Sequence, residues 1–327
     1  MKFPDEFLEI VEGIKSMKIR GAGLIGRKAV EALKIVSDSI NTADPEKYVK
    51  EIRKAAKMLI STRPTAVSLP NAVRYVYYRV KRAYESGLGV KELKDTLRDA
   101  ANDFITISLN AIEKIGEIGA KRIEDGDTIL THCNSQAAIS IIIHAFKQGK
   151  NIKVFATETR PRMQGRLTAK QLSNEGIPTT LIVDSAVRYF MPKIDKVVIG
   201  ADAIAANGAV INKIGTSLIA LAAHEARVRV MVGAETYKFS PETVFGELIK
   251  IEERPYDEVV PEEWLKANPG VSVRNPAFDV TPPEYIDVII TEMGVVSPQS
   301  FFLLVKDVFG WMFGEKDEWI SLDTFHL

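Results

Sequence analysis

Thr128-Ile129-Leu130-Thr131-His132-Cys133-Asn134-Ser135-Gln136 is the stretch whose reading decides the fold. A short apolar run rich in β-branched residues is followed by a thiol, a polar turn, and then the helical pattern of Ala137 to Lys147. This reads as strand, turn, helix, with Cys133 at the strand's carboxyl end, where open α/β sheets place their ligands. A thiol at a helix N-terminus faces unpaired N–H groups and the positive end of the dipole, which favours the thiolate. Against this stands the ordinary role of free cysteine as a small buried hydrophobe. The surrounding sequence decides between the two.

Downstream of Asp125-Gly126-Asp127, a turn, strands and helices alternate. Strands are predicted at 128–132, 152–157, 178–183, 195–200 and 228–233, with Val288-Ile289-Ile290 as a sixth. Helices are predicted between them at 136–147, 165–175, 185–191 and 216–226. Short, wholly apolar strands separated by helices imply a doubly wound, mostly parallel sheet covered on both faces. The proline-rich, acidic stretch 241–285 reads as an irregular excursion, and an amphipathic helix around 300–309 closes the domain.

Upstream, the apolar period is helical throughout. Phe7, Val11 and Ile14 form one stripe, Val30, Leu33, Val36 and Ile40 the next, and Val49, Ile52, Ala56 and Leu59 a third. Val73, Tyr77, Val80 and Tyr84 follow, and Leu93 to Ile118 spans one long helix. Breaks fall at Asn41 to Pro45, at Arg63-Pro64, and at Gly87-Leu88-Gly89. The expected fold class is α/β: an all-helical N-terminal domain, 1–122, and a Rossmann-like domain, 123–327.

Composition narrows the function. The chain has 327 residues, 46% hydrophobic and 26% charged, as in ordinary globular proteins. Its 43 basic and 43 acidic side chains cancel, so no global field points to nucleic acid or a membrane, and any anion site is local. No uncharged apolar run approaches the roughly 18 residues of a membrane span. The first residues lack a signal-peptide pattern, and one cysteine forms no internal disulfide, so a cytoplasmic location is expected. One cysteine and four scattered histidines argue against a dedicated zinc site.

Several motifs carry chemistry. Gly21-Ala22-Gly23-Leu24-Ile25-Gly26 matches the dinucleotide fingerprint literally, but a helix precedes it where the fingerprint needs a buried strand. What survives is Arg20 and a glycine turn into a helix N-terminus, either a phosphate cradle or a tight interhelical turn. Arg63 lies on a proline-fixed break, free to face a cleft or solvent. Asp202 directly follows the apolar run Val197 to Gly200, at the same crest as Cys133, with 203–208 read as a loop. A carboxylate there, shielded from water, suits an acid; its bland alternative is an N-cap. Asn212-Lys213 ahead of Gly215-Thr216-Ser217 suits a phosphate or hydroxyl-rich ligand. Lys238 follows the strand at 228–233. The segment Thr157 to Arg166 is dense in donors and lines either the ligand site or a subunit contact. Jointly, four strand ends bring Cys133, Arg160, Asp202 and Lys238 to one rim, a set suited to proton transfer on an anionic substrate.

Thr131-His132-Cys133-Asn134-Ser135, Thr157 to Gly165, and Gly200-Ala201-Asp202 through Thr216 resemble one superfamily. It holds the regulatory subunits of initiation factor 2B, the methylthioribose-1-phosphate isomerases and the archaeal ribose-1,5-bisphosphate isomerases. The resemblance extends to Arg20-Gly21-Ala22-Gly23 and Arg63-Pro64-Thr65, and so covers nearly the whole chain. The cysteine with Gly-Ala-Asp looks like the isomerase branches, and Arg20 to Gly23 with Lys238 looks closest to the bisphosphate branch. Two phosphates also call for two cationic pockets, which Arg20, Arg63, Lys213 and Lys238 are enough to furnish.

What the resemblance implies is an aldose–ketose isomerase acting on a sugar bisphosphate, ribose 1,5-bisphosphate to ribulose 1,5-bisphosphate, in AMP salvage. Cys133 would be the base and Asp202 the acid, with no metal or organic cofactor. Arg20, Gly21, Ala22, Gly23 and Arg63 would bind substrate from the helical part. Ser135, Gln136, Ala137, Asn212, Lys213 and Lys238 would bind it from the α/β part. The family further implies a homo-oligomer, a hexamer built as a trimer of dimers, and AMP as an activator. A methylthioribose-1-phosphate isomerase and a non-catalytic initiation factor 2B-like regulatory subunit are the alternatives.

Overall fold

Helix breakers and apolar stripes translate directly into the first elements. In the computed structural model, which describes residues 2–19, 21–63, 66–246 and 248–308, these are α1 (Asp5–Lys15), α2 (Ala22–Ser39), α3 (Pro45–Thr62), α4 (Ser68–Glu85) and α5 (Val90–Ala120). The Asp44 carboxylate accepts the Glu46 N–H at 3.0 Å, and Pro45 presets the first turn of α3. Gly21, with φ of 93°, is the N-cap of α2. Phe7, Ile14, Leu33, Val36, Ile52, Leu59, Leu69, Val73, Leu93 and Leu97 are buried along the facing stripes.

The chain divides into two compact units, the second beginning at Ile112. The helical period runs on to Ala120, so the division falls inside one continuous helix, where no change of pattern marks it.

The second unit follows the predicted alternation. Its elements are β1 (Thr128–Thr131), α6 (Gln136–Lys147), β2 (Lys153–Thr157), α7 (Gln164–Asn174), β3 (Thr179–Ile182), α8 (Val187–Phe190), β4 (Lys196–Gly200), β5 (Ala203–Ile204), β6 (Val210–Lys213), α9 (Thr216–Ala226) and β7 (Arg229–Gly233). Then come α10 (Glu262–Ala267), β8 (Phe278–Thr281), β9 (Val288–Thr291), β10 (Gly294–Val296) and α11 (Phe301–Val308). The main sheet runs β10-β9-β7-β4-β1-β2-β3, parallel except for the β10 hairpin edge.

Alternation along these strands builds a core on each face. Leu130, Val197, Ile199, Val230 and Val232 pack with Ile219, Ala220 and Ala223 of α9. Ile129, Val154, Val198 and Met231 pack on the other side with Ile139, Ile141 and Ile142 of α6. At their amino ends β1 and β4 are locked together. Thr128 donates to Asp195 at 2.8 Å, and the buried Lys196 ammonium lies 2.6 Å from the buried Asp127 carboxylate.

Two corrections concern the connections. The stretch 203–208, expected to be a loop, is the start of a hairpin: β5 pairs antiparallel with β6 around Asn207-Gly208. The excursion 241–285 is not wholly irregular, because it contains α10 and β8, and β8 joins β6 to complete a second, three-stranded sheet. A two-residue strand has no readable period, and the partner of β6 lies some sixty-five residues downstream.

Gly165 marks a close approach that holds α7 to β2. A Cβ there would sit 1.6 Å from the Thr157 carbonyl oxygen, a backbone atom with nowhere to go. Gly165→Ala is expected to cost about 2–3 kcal/mol by overpacking, read as a lower urea midpoint with an unchanged m-value.

Candidate active site

The strand order reverses between β1 and β4. From β1 the chain winds outward through β2 to β3, then returns to β4 on the other side of β1 and winds outward to β7 and β9. In open α/β sheets the crevice at such a reversal, outside the carboxyl ends of the strands, is the ligand site. His132 and Cys133 leave β1 at that point, and Ala201 and Asp202 leave β4.

Cys133 has φ of 65°, a left-handed conformation unusual for a side chain with a Cβ. It is held there from both sides. Its N–H donates to Thr159 Oγ1 at 2.9 Å, and Thr168 Oγ1 donates to its carbonyl at 2.6 Å. Thr159 is itself left-handed, at 62°, fixed by its N–H to Asp184 Oδ1, while Arg160 N donates to Asp184 Oδ2, both at 2.7 Å. Such strain persists only where the surroundings over-determine it.

Burial pushes the Cys133 thiol up to about 11; Lys213 opposes the shift, and Asp202 and Asp184 add to it. The resting thiol is therefore protonated at neutral pH. This corrects the expectation of a dipole-favoured thiolate. Helix α6 begins only at Gln136, capped by Ser135, and desolvation of the thiol outweighs the Lys213 charge and the Asn134 N–H that favour its ionised form.

The other residues singled out in the α/β unit fall into two groups. Ser135, Asp202 and Lys213 gather around the crevice. Ser135 sits so close to the end of β4 that a Cβ on Gly200 would lie 2.1 Å from its Oγ. Asp202 is half-buried, its N–H bonded to Ile211 O of β6 at 2.9 Å. Lys213 lies opposite Phe278, its ammonium 4.6 Å from the ring centre. Asn212 is buried beside it and donates to Thr216 Oγ1 at 3.0 Å. Ala137 is buried against Gly233, whereas Gln136 is exposed and reaches Gln171.

Lys238 and Arg160 are differently engaged. Lys238 is buried, its ammonium 2.6 Å from Glu235. Burial alone would raise the Glu235 carboxyl, but Lys238 and the Tyr237 hydroxyl hold it below the ordinary carboxylate range. Arg160 is exposed, its guanidinium turned to Val259 O at 3.5 Å. In the first unit, Ala22 and Gly23 open α2 behind Gly21, and Arg63 is buried at the end of α3. Arg20, Pro64 and Thr65 lie outside the described residues.

Sequence reasoning passed over Asp279, Asp184 and the bonding of His132. Asp184 follows β3 at the same crest as Cys133, a signal that was available. Asp279 had none, because it reaches the turn before α9 only through β8, accepting Gly215 N at 2.8 Å and Ser217 N at 3.1 Å.

Residues 18–298 match the Initiation factor 2 subunit family. The chain belongs to this family. Within it, a ribose 1,5-bisphosphate isomerase of Pyrococcus furiosus is 58% identical over 315 residues, covering 96% of this chain and 97% of that protein. A methylthioribose-1-phosphate isomerase of Acetivibrio thermocellus is 42% identical, covering 89% and 88%. The crystal structure of a Pyrococcus horikoshii translation initiation factor eIF-2B superposes with a TM-score of 0.77 at 32% identity, covering 90% and 98%. The family thus spans initiation factors and isomerases on one fold, and this chain falls with the isomerases.

Burial raises the Asp279 carboxyl from 3.8 to about 6, against the pull of the backbone N–H groups of Gly215, Ser217 and Asp279 itself and of Lys213. A carboxyl raised on folding contributes stability that is full below its unfolded pKa and is lost as pH rises through the folded one. Relative to Asp279→Asn, the native chain is expected to lose about 2–3 kcal/mol between pH 3.5 and pH 7, measured by urea denaturation at both pH values.

Proposed function

We propose that this protein isomerises ribose 1,5-bisphosphate to ribulose 1,5-bisphosphate, with Cys133 as base and Asp202 as acid. The observation that carries this reading is the placement of that pair on adjacent strand ends, either side of the crevice where the sheet reverses. The name of the relative at 58% identity supports the substrate.

The C1 phosphate blocks the free-aldehyde route, so the ring opens with the phosphate attached. Asp202 gives a proton to the ring oxygen as the C1–O bond breaks, and Cys133 takes the C2 proton. The product of that step is a C1–C2 enol carrying the phosphate on C1. Cys133 then returns its proton to C1, while the C2 hydroxyl gives its proton to Asp202 and becomes the ketone. Both groups end as they began. The base acts ionised, and Lys213 is the group whose charge favours that form.

Arg20, Gly21, Ala22, Gly23, Arg63, Ser135, Gln136, Ala137, Asn212, Lys213 and Lys238 make up the proposed substrate-binding set. A homohexamer built as a trimer of dimers, activation by AMP, a place in nucleoside salvage and a cytoplasmic location complete the proposal. Among the described residues no helix is long and apolar enough to cross a membrane.

The decisive experiment offers purified protein ribose 1,5-bisphosphate and methylthioribose 1-phosphate side by side. Preference for the second would transfer the assignment to the methylthioribose branch, and turnover of neither would favour a regulatory subunit. Cys133→Ser and Asp202→Asn are each expected to lower kcat at least ~100-fold with modest change in KM. Near-native turnover by Cys133→Ser would remove the base. Because the resting thiol lies at about 11, the residual kcat/KM of Asp202→Asn, in which that acid no longer titrates, should rise about tenfold per pH unit through the neutral range. A profile flat from pH 6 to 8 in that variant would place the proton acceptor elsewhere.

A further inference from the structure

A histidine beside a cysteine in sequence invites reading as the base that activates the thiol. The geometry assigns His132 elsewhere. The residue is 1% exposed, and both ring nitrogens are engaged away from the thiol. Nε2 lies 2.9 Å from the Ile214 carbonyl, which only accepts, so Nε2 carries the proton. Nδ1 is then the acceptor, bonded at 2.6 Å to the Thr157 hydroxyl of β2. Burial drives the imidazole down to about 4, so the ring is neutral in this role at any working pH. It has neither the free lone pair nor the charge to act on Cys133.

What the ring does touch is the turn that leads out of β6 towards α9. Gly215 takes φ of 100°, and a Cβ on it would approach His132 Cε1 to 3.2 Å. The turn's remaining polar groups are taken up on other sides. Ile214 N donates to Ala277 O at 3.0 Å, Thr216 Oγ1 to Lys213 O at 2.6 Å, and Gly215 N to Asp279 at 2.8 Å. Among the described residues, the Ile214 carbonyl ties the turn to the end of β1 through His132. Lys213, the residue before Ile214, is the cation whose charge reaches the Cys133 thiol, and Asp202 and Asp184 are the anions that do so.

We propose that His132 is a positioning residue: its Nε2–H bond to Ile214 holds the Lys213–Gly215 turn against the end of β1, keeping the lysine charge beside Cys133. Thr157 serves the same end by fixing the ring's orientation. The inference rests on reading Cys133 as the base and Lys213 as its supporting cation, but its test needs no substrate.

Cys133 is the chain's single cysteine, so thiol chemistry reports on it alone. The rate of iodoacetamide alkylation is measured against pH on the intact protein. The midpoint of that curve follows the thiol pKa, which a change in access alone does not move. His132→Asn, which cannot reach Ile214, is expected to raise the midpoint by about one unit, a tenfold loss of thiolate at any lower pH. His132→Gln, whose amide nitrogen reaches the Nε2 position, should restore most of it. Lys213→Met should raise the midpoint comparably, and His132→Asn should add nothing on top of it. A folded His132→Asn protein with the native midpoint would overturn the proposal. So would an equal further shift in the Lys213→Met background. If His132→Asn does not fold, the near-isosteric Thr157→Val decides: a smaller upward shift supports the clamp, and none overturns it. Lost turnover with an unmoved midpoint would defeat the clamp while leaving Cys133 as the base.

Discussion

The parallel pairing of β1 with β4 is the constraint on which the rest depends. These strands are separated in sequence by two complete strand–helix units, yet Ile129 pairs with Lys196 and Leu130 with Val197. Their amino ends are locked by the buried Lys196–Asp127 ion pair, and breaking such a pair costs about 3–5 kcal/mol. Their outward connections run to opposite edges of the sheet, which opens a crevice between their carboxyl ends. A crevice is left there by topology, and the residues that follow each strand inherit it.

That crevice is polar by necessity and rigid by construction. A left-handed cysteine and a left-handed threonine sit side by side, and each is pinned by hydrogen bonds from neighbouring strand ends. The hydroxyl pins, Thr159 and Thr168, are themselves buried, so each of their bonds has replaced one to water and is costly to lose. Backbone placed this way presents the Cys133 side chain at an angle that a regular strand end would not. The same logic governs the turn before α9, where His132 and Asp279 grip the C=O and the N–H of the one peptide group that joins Ile214 to Gly215.

Charge inside the crevice is balanced locally. Lys213 rests over the Phe278 ring, near Asp279 and the thiol, while Lys238 is compensated by Glu235. Burial is the dominant influence on Cys133, His132 and Asp279 alike, and it keeps each of them nearer its neutral form. A site of this kind is set up to exchange protons rather than to hold fixed charge.

The sequence by itself determined the order and type of the main elements, because each strand of a doubly covered sheet is a short apolar run that announces itself locally. It also determined that Cys133 and Asp202 stand at strand ends, since the apolar runs stop there. It missed the hairpin at Ala203–Lys213 and the strand at Phe278–Thr281, whose pairing is non-local and too short for a period. Only the tertiary structure decided that β1 and β4 are neighbours, which turns two crest residues into a pair. It also decided the protonation of the thiol. Helix-end position is readable along the chain, but desolvation depends on everything packed around the sulfur, and here it outweighs the nearby Lys213 charge.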